Sequence, residues 1–288
     1  MFVILNPVAG FGKVHKYQEK IVQLIKNISP EAEFAKTISP GDAVHLVNVG
    51  VKKGHDKIIC VGGDGTVHEI INGLGNSEVT LGIIPAGTKN TIARSLKIPI
   101  KIEEAIKLLI RPRISRIDIG KVGNHYFILT AGFGLEVEMA SKALVQEKTI
   151  LKKAIASMKP YFDTVKPFRV KLYIDNEFII NMTLLSCSLV NLTSFHAKCL
   201  PDITFDPQDG KLHFIAFSPK NKENLMPKLL SNSSFALDDV RVTQFKASNI
   251  HILFPEDIPI HADGEIIRKT TPIEVSIEQH KQAIITGL

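Results

Sequence analysis

Tryptophan is absent from the 288-residue chain, and cysteine occurs only three times. Cys60, Cys187 and Cys199 have no close pairing, which excludes a disulfide-stapled scaffold and a cysteine metal cluster. They read as reduced thiols of a cytosolic protein. No uninterrupted apolar run reaches the roughly 18 residues of a membrane span, so any membrane contact is expected to be peripheral. The opening MFVILNPVAG has neither a basic leader nor a small-residue cleavage site, and it reads as a first strand rather than a signal peptide. Internal repeats and low-complexity linkers are missing as well. So are the usual nucleotide fingerprints. Gly12-Lys13 has Pro7 at the first glycine position and Val14 in place of the Ser/Thr of a P-loop, and no G-x-G-x-x-G follows a strand.

What is present suits a globular protein: 44% hydrophobic and 22% charged residues, enough for one large or two modest domains. The excess of 35 Lys+Arg over 29 Asp+Glu, +6 in all, suits phosphate-bearing ligands, nucleic acid or an anionic membrane surface. With so modest an excess, no tryptophan and no recognised binding motif, nucleic acid is the weakest of the three.

The pattern changes character midway. Up to about residue 118, short apolar runs (2–5, 58–61 and 79–84) alternate with helical periodicity over 14–28, 66–75, 90–97 and 102–110, which predicts a mostly parallel sheet covered on both faces. Beyond it, strands dominate at 126–131, 168–174, 178–190, 211–217, 240–247, 249–254 and 273–277, with a hairpin turn at Asp175-Asn176-Glu177 and a helix over 136–158. The expected architecture is therefore α/β plus all-β. An N-terminal three-layer α/β nucleotide-binding domain (1–118, with the tail 278–288 as a candidate addition) precedes an antiparallel β-sandwich domain (119–277).

Three strands of the first half end in flexible polar loops: Asn6-Pro7-Val8-Ala9-Gly10, Gly62-Gly63-Asp64-Gly65-Thr66 and Pro85-Ala86-Gly87-Thr88-Lys89-Asn90. Ligands of open α/β sheets sit where such loops converge. Glycines let backbone N–H groups approach a phosphate, and a following helix N-terminus adds favourable partial charge. Thr66 and Thr88 can donate hydroxyls. Asp64 would repel phosphate without an intervening cation, which points to Mg²⁺. The alternative is a plain strand-to-helix turn with Thr66 or Asp64 as N-cap.

Taken in order, Asn6-Pro7-x-x-Gly10, Thr37-x-x-x-Gly41-Asp42-Ala43, Gly62-Gly63-Asp64-Gly65-Thr66-x-x-Glu69-x-x-Asn72-Gly73 and Pro85-x-Gly87-Thr88-x-Asn90-x-x-Ala93-Arg94 resemble the diacylglycerol kinase catalytic family, specifically the bacterial lipid kinases related to sphingosine and ceramide kinases. Asp206-x-x-Asp209-Gly210 and Asp263-Gly264-Glu265 stand where that family carries its later acidic sets. The resemblance implies an ATP-dependent lipid kinase. Its ATP phosphates would lie on Gly62, Gly63, Asp64, Gly65 and Thr66, Asp64 would hold catalytic Mg²⁺, and Asn6, Thr37, Glu69, Gly87 and Thr88 would complete the nucleotide site. Glu265 would be the general base, and a structural Mg²⁺ would be held by Asp209 first, with Asp206 and Lys211. His68 stands where the family often has Asn, and Thr91 where it commonly has Asp.

On the lipid side, Gly132-Phe133-Gly134 is a candidate bend lining an acyl groove. The segment 140–158 carries Ala143, Leu144, Leu151, Ala154, Ile155 and Met158 broadly along one face, with Lys142, Lys148, Lys152, Lys153 and Lys159 alongside, a pattern suited to an anionic lipid surface or to packing on its own domain. The implied partners are a lipid substrate and an anionic membrane surface, with a homodimer as a candidate state. The implied location is cytoplasmic with peripheral membrane association. Two other readings stay open: an NAD kinase-like enzyme, which shares the GGDGT loop, and a catalytically silent nucleotide- or lipid-binding protein.

Overall fold

The computed structural model describes residues 1–138, 166–192, 205–219, 242–255, 258–267 and 271–288. They form two compact units, Met1–Asp118 with Gln279–Leu288, and Ile119–Glu278. The first unit alternates β1 (Phe2–Leu5), α1 (Ala9–Lys26), β2 (Glu33–Lys36), α2 (Asp42–Lys52), β3 (Lys57–Gly62), α3 (Asp64–Leu74) and β4 (Thr80–Pro85), followed by the short helices α4 (Thr91–Ser95) and α5 (Ile102–Lys107). The strand β5 (Arg113–Val122) carries the chain into the second unit. There follow β6 (His125–Phe127), β7 (Thr130–Gly134), β8 (Phe168–Ile174), β9 (Phe178–Leu184), β10 (Ser186–Val190), β11 (Leu212–Phe217), β12 (Val242–Ala247), β13 (Asn249–Leu253), β14 (Ile260–Ala262) and β15 (Glu265–Ile267). The long β16 (Ile273–Thr286) returns to the first unit.

In the first unit the strands lie in the order β2-β1-β3-β4, all parallel, and the later residues of β16 add beside β4 through Ile284↔Leu81. The apolar run of β1 and Ile58–Val61 of β3 are buried throughout. Strands covered on both faces need unbroken apolar sequence rather than alternation. Val14, Ile21 and Ile25 of α1, Ala43 and Val47 of α2, and Val67, Ile70, Ile71 and Leu74 of α3 supply the covering stripes at helical spacing.

The second unit is antiparallel. One sheet runs β12-β11-β10-β7-β14-β15, and in the other the early residues of β16 pair with β13, which pairs with β8 and then β9. Inward residues of both sheets share one core: Phe133, Cys187, Leu189, Phe214 and Ala262 from the first, Val170, Leu172, Ile250, Ile252 and Val275 from the second. Phe133 meets Phe254 edge-on at 4.9 Å, and Phe214 stacks on Phe245 at 4.4 Å. The predicted α/β plus antiparallel architecture is the one observed.

The differences from the sequence reading are local. The expected strand 126–131 breaks into β6 and β7 because the Asp263 carboxylate takes the backbone N–H groups of Ile128, Leu129 and Thr130. The expected strand 178–190 breaks at Leu185, so that β9 lies in one sheet and β10 in the other. At the break, Leu185 donates its N–H to the Phe217 carbonyl and accepts from Leu135. The periodicity did not single out β2, α2, β5, β14 or β15. Beyond residue 138 the expected helix over 136–158 lies outside the described residues, as do Lys142, Lys148, Lys152, Lys153 and Lys159, residues 240–241 of the expected strand, and Cys199.

Candidate active site

The first unit's strand order places β1 and β3 side by side, with the chain winding away from them in opposite directions. The crevice beyond their carboxyl ends is the ligand position of a doubly wound sheet. Three loops meet there. Asn6, directly after β1, donates from Nδ2 to Thr66 Oγ1 at 2.9 Å, and its own N–H bonds the Val61 carbonyl at 3.0 Å. Gly62 ends β3 and accepts the Ala86 N–H at 2.8 Å. The β3 and β4 loops then touch backbone to backbone: a Cβ added to Gly87 would stand 2.5 Å from the Gly63 Cα. Only glycine permits that approach. Gly87→Ala is therefore expected to cost about 1–3 kcal/mol, as overpacking does, read as a lower urea midpoint at unchanged m-value.

Asn90 closes the β4 loop on itself. Its Oδ1 accepts the Gly87 N–H and its Nδ2 donates to the Gly87 carbonyl, both at 2.8 Å, while its backbone takes the left-handed conformation at φ 50°. This buried residue was legible only as part of a motif, although asparagine is among the few non-glycine residues suited to that conformation.

Asp64 is the first residue of α3, and neither it nor Thr66 caps that helix. Its carboxylate instead reaches the start of α4, where Oδ2 accepts the Thr91 N–H and Oδ1 the Ile92 N–H, each at 2.9 Å. An anion there satisfies two helix donors that would otherwise lack partners. His68, where the family often has Asn, is buried on α3, with Asn72 Nδ2 3.3 Å from its Nε2, so that departure falls within the helix packing.

The other predicted nucleotide residues surround this core unequally. Gly65 is exposed in the first turn of α3, and Thr88 is exposed in the β4 loop. Thr37 follows β2 and donates its N–H to the Leu5 carbonyl at 2.9 Å. Glu69 is engaged elsewhere: its Oε2 accepts the Ala43 N–H at 3.1 Å, at the start of α2. Cys60 lies beneath the loops, fully buried. Burial first, then the charges of Asp64 and Glu69, push its thiol far up from the ordinary range, so it is no nucleophile at neutral pH.

The remaining predicted residues belong to the second unit. Asp206 accepts the Gln208 N–H at 3.0 Å, and Asp209 Oδ1 accepts the Lys211 N–H at 3.0 Å, so the two carboxylates shape the turn that leads into β11. Asp209 Oδ2 also pairs with Lys246 Nζ at 2.6 Å. Nearby His213 is held below its ordinary pKa by burial and by Lys246, against an opposing pull from Asp209. No group of three or more His, Cys, Asp or Glu residues suited to a metal ion occurs among the described residues.

Glu265 is exposed and opens β15. Asp263 and Gly264 form the two-residue turn before it, both at positive φ (50° and 100°), the geometry that favours Asp-Gly in a tight hairpin. Asp263 accepts three backbone N–H groups at 2.8–3.0 Å. It is an anchoring residue that the motif named without indicating its role.

Comparison with known proteins gives this arrangement a lineage. Residues 1–122 match the diacylglycerol kinase catalytic domain. A Streptococcus pneumoniae protein named "Putative lipid kinase" is 30% identical over 283 residues, covering 96% of this chain and 94% of its own. The chain belongs to the diacylglycerol kinase catalytic family. A Bacillus subtilis diacylglycerol kinase is similar at 28% identity, across 91% of this chain and 88% of its own. The crystal structure of a "putative diacylglycerol kinase" from Bacillus anthracis superposes with a TM-score of 0.84 at 27% identity, covering 99% of this chain and 94% of that one. The chain is thus a lipid-kinase enzyme of this family. No helix among its described residues is long and apolar enough to cross a membrane.

Proposed function

We propose that the enzyme transfers the γ-phosphoryl group of ATP to the hydroxyl of a membrane lipid, with diacylglycerol as the first acceptor. The observation that carries this reading is the meeting of the Gly63 and Gly87 backbones beside Asp64, at the carboxyl ends of parallel strands. Side chains are excluded from that contact, which favours close approach of phosphate oxygens to the loops. In this reading Asn6, Thr37, Gly62, Gly63, Gly65, Thr66, Glu69, Gly87 and Thr88 form the nucleotide site.

The Asp64 donor set fits Mg²⁺. Each carboxylate oxygen accepts one amide and keeps further lone-pair capacity, and this ion commonly combines one or two carboxylates with substrate phosphates. Bound there, Mg²⁺ would neutralise charge on the β- and γ-phosphates. The fit at Asp209 is poorer, because the Lys246 ammonium already neutralises that carboxylate and a cation would have to displace it. Asp206 and Lys211 add a second carboxylate and a backbone carbonyl to that candidate site. The part of the protein in the transfer is positioning and a base. Glu265 takes the proton of the lipid hydroxyl as that oxygen bonds to the γ-phosphorus. The bond to the β–γ bridging oxygen breaks, and ADP leaves with its electron pair. Peripheral contact with an anionic bilayer belongs to the same proposal, because the acceptor resides there.

The test supplies γ-labelled ATP and Mg²⁺ with mixed micelles of diacylglycerol, ceramide, sphingosine, monoacylglycerol and phosphatidylglycerol. Label is expected in one lipid, to vanish with EDTA and to return with excess Mg²⁺. Label passing to added NAD, or to no lipid at all, would overturn the assignment.

A further inference from the structure

Behind the Asp263-Gly264 turn lies a buried polar group that the proposed chemistry does not use. On the central strand β7, Gly132 is paired with Ser188 of β10 on one side and with His261 of β14 on the other. The missing side chain of Gly132 leaves room for the Glu136 carboxylate, which a Cβ at that position would strike. Glu136 Oε1 accepts the Ser188 hydroxyl, and Oε2 lies 3.1 Å from His261 Nε2. The opposite ring nitrogen, His261 Nδ1, accepts the Gly264 N–H at 3.4 Å. These partners assign the proton of a neutral ring to Nε2.

The bonding order excludes a hydrolytic triad. The carboxylate stands between the hydroxyl and the imidazole, so the imidazole is not placed to take the Ser188 proton. What the order does provide is a brace. β15 is the last strand of its sheet and is paired with β14 through Ile260↔Ile267, His261↔Ile266 and Ala262↔Glu265. His261 is the middle residue of β14, the three groups of the network are buried (Ser188 0%, the Glu136 and His261 side chains 11% and 7% exposed), and the His261 ring holds the N–H of Gly264, the residue before Glu265. Fully satisfied buried networks of this kind fix a single local conformation.

We infer that Glu136 and His261 are positioning residues, bracing the hairpin so that the Glu265 carboxylate is held in one place for proton transfer. This inference rests on the reading of Glu265 as the base.

The experiment compares lipid phosphorylation by the full chain carrying His261→Ala, His261→Asn, His261→Gln or Glu136→Gln, each alone and combined with Glu265→Gln. Displacing a reacting group by about 1 Å is enough to cost about 10²-fold, so His261→Ala is expected to lower kcat roughly 10- to 100-fold with KM for ATP unchanged. His261→Gln, whose amide nitrogen falls near the Nε2 position, is expected to recover most of that loss, and His261→Asn is not. In the Glu265→Gln background the His261 substitutions should have no further effect on kcat, because they act through Glu265. An equal loss in both backgrounds, a loss that only tracks thermal stability across the series, or unchanged kcat in His261→Ala would overturn the inference. Should His261→Ala fail to fold, the Gln and Asn variants decide the same question. Wild-type kcat in Glu265→Gln alone would refute the base assignment instead, leaving the two failures distinct.

Discussion

Glu265→Gln is expected to lower kcat for lipid phosphorylation by about 10²–10⁴-fold, the range that a positioned general base contributes. The amide keeps the size and reach of the side chain and removes only its capacity to accept a proton. Because Glu265 is exposed, the folded state should hardly notice; surface changes of this kind usually stay within about 0.5 kcal/mol. KM for ATP should also hold, because the nucleotide site is assigned to loops of the other unit. The checking measurement is steady-state kinetics against ATP and lipid, with thermal unfolding in parallel. A fall in kcat at constant stability marks a chemical role, and a fall in both marks a folding role.

Asp64→Ala should be the most damaging change in the first unit, and in two ways at once. It strips the Thr91 and Ile92 amides of their acceptors, at a cost on the order of 1–3 kcal/mol for each buried donor left unpaired. It also removes the carboxylate assigned to Mg²⁺, so phosphorylation should fall by more than about 10²-fold, as losing a charge-stabilising group does. Asp64→Asn separates the two effects. The amide oxygen can still accept one helix N–H, so stability should largely return, while the missing negative charge keeps activity low. Urea unfolding and metal titration of both variants check this. Full activity in Asp64→Asn would remove Mg²⁺ from Asp64.

The α/β half of the fold was legible because its strands are buried on both faces and read as unbroken apolar runs, of which Phe2–Leu5 and Ile58–Val61 are the clearest. β2 escaped because Glu33-Phe34-Ala35-Lys36 is short and carries charge at both ends, as edge strands do. In the second half, strand propensity was visible but sheet membership was not. Nothing in the run 178–190 marks Leu185 as the point where the chain changes sheets, since that depends on the Phe217 carbonyl, distant in sequence. Asp263 interrupts the run at Ile128 and Leu129 from 135 and 134 residues away. Long-range hydrogen bonds of this kind leave no local periodicity.

The site was legible in a different sense. Its glycine loops and carboxylates stand out by residue type, and their order along the chain resembled one family. What the order could not convey was partnership. Asp64 was legible as a Mg²⁺ ligand or a helix cap, but its bonds to the start of α4 were not. Glu69 was legible as a residue completing the nucleotide site, but its bond to the start of α2 was not. Glu136 and His261 carried no motif, because what joins them is the vacancy over Gly132.

The most direct test of the account follows the atoms. ATP carrying heavy oxygen throughout its γ-phosphoryl group is incubated with the enzyme, Mg²⁺ and diacylglycerol micelles, and the lipid product is weighed by mass spectrometry. Phosphoryl transfer to the lipid hydroxyl predicts a phosphorylated lipid that carries the three non-bridging heavy oxygens, with its ester oxygen unlabelled and one ADP formed for each product molecule. Heavy inorganic phosphate accumulating with ADP, and no heavy lipid, would contradict it.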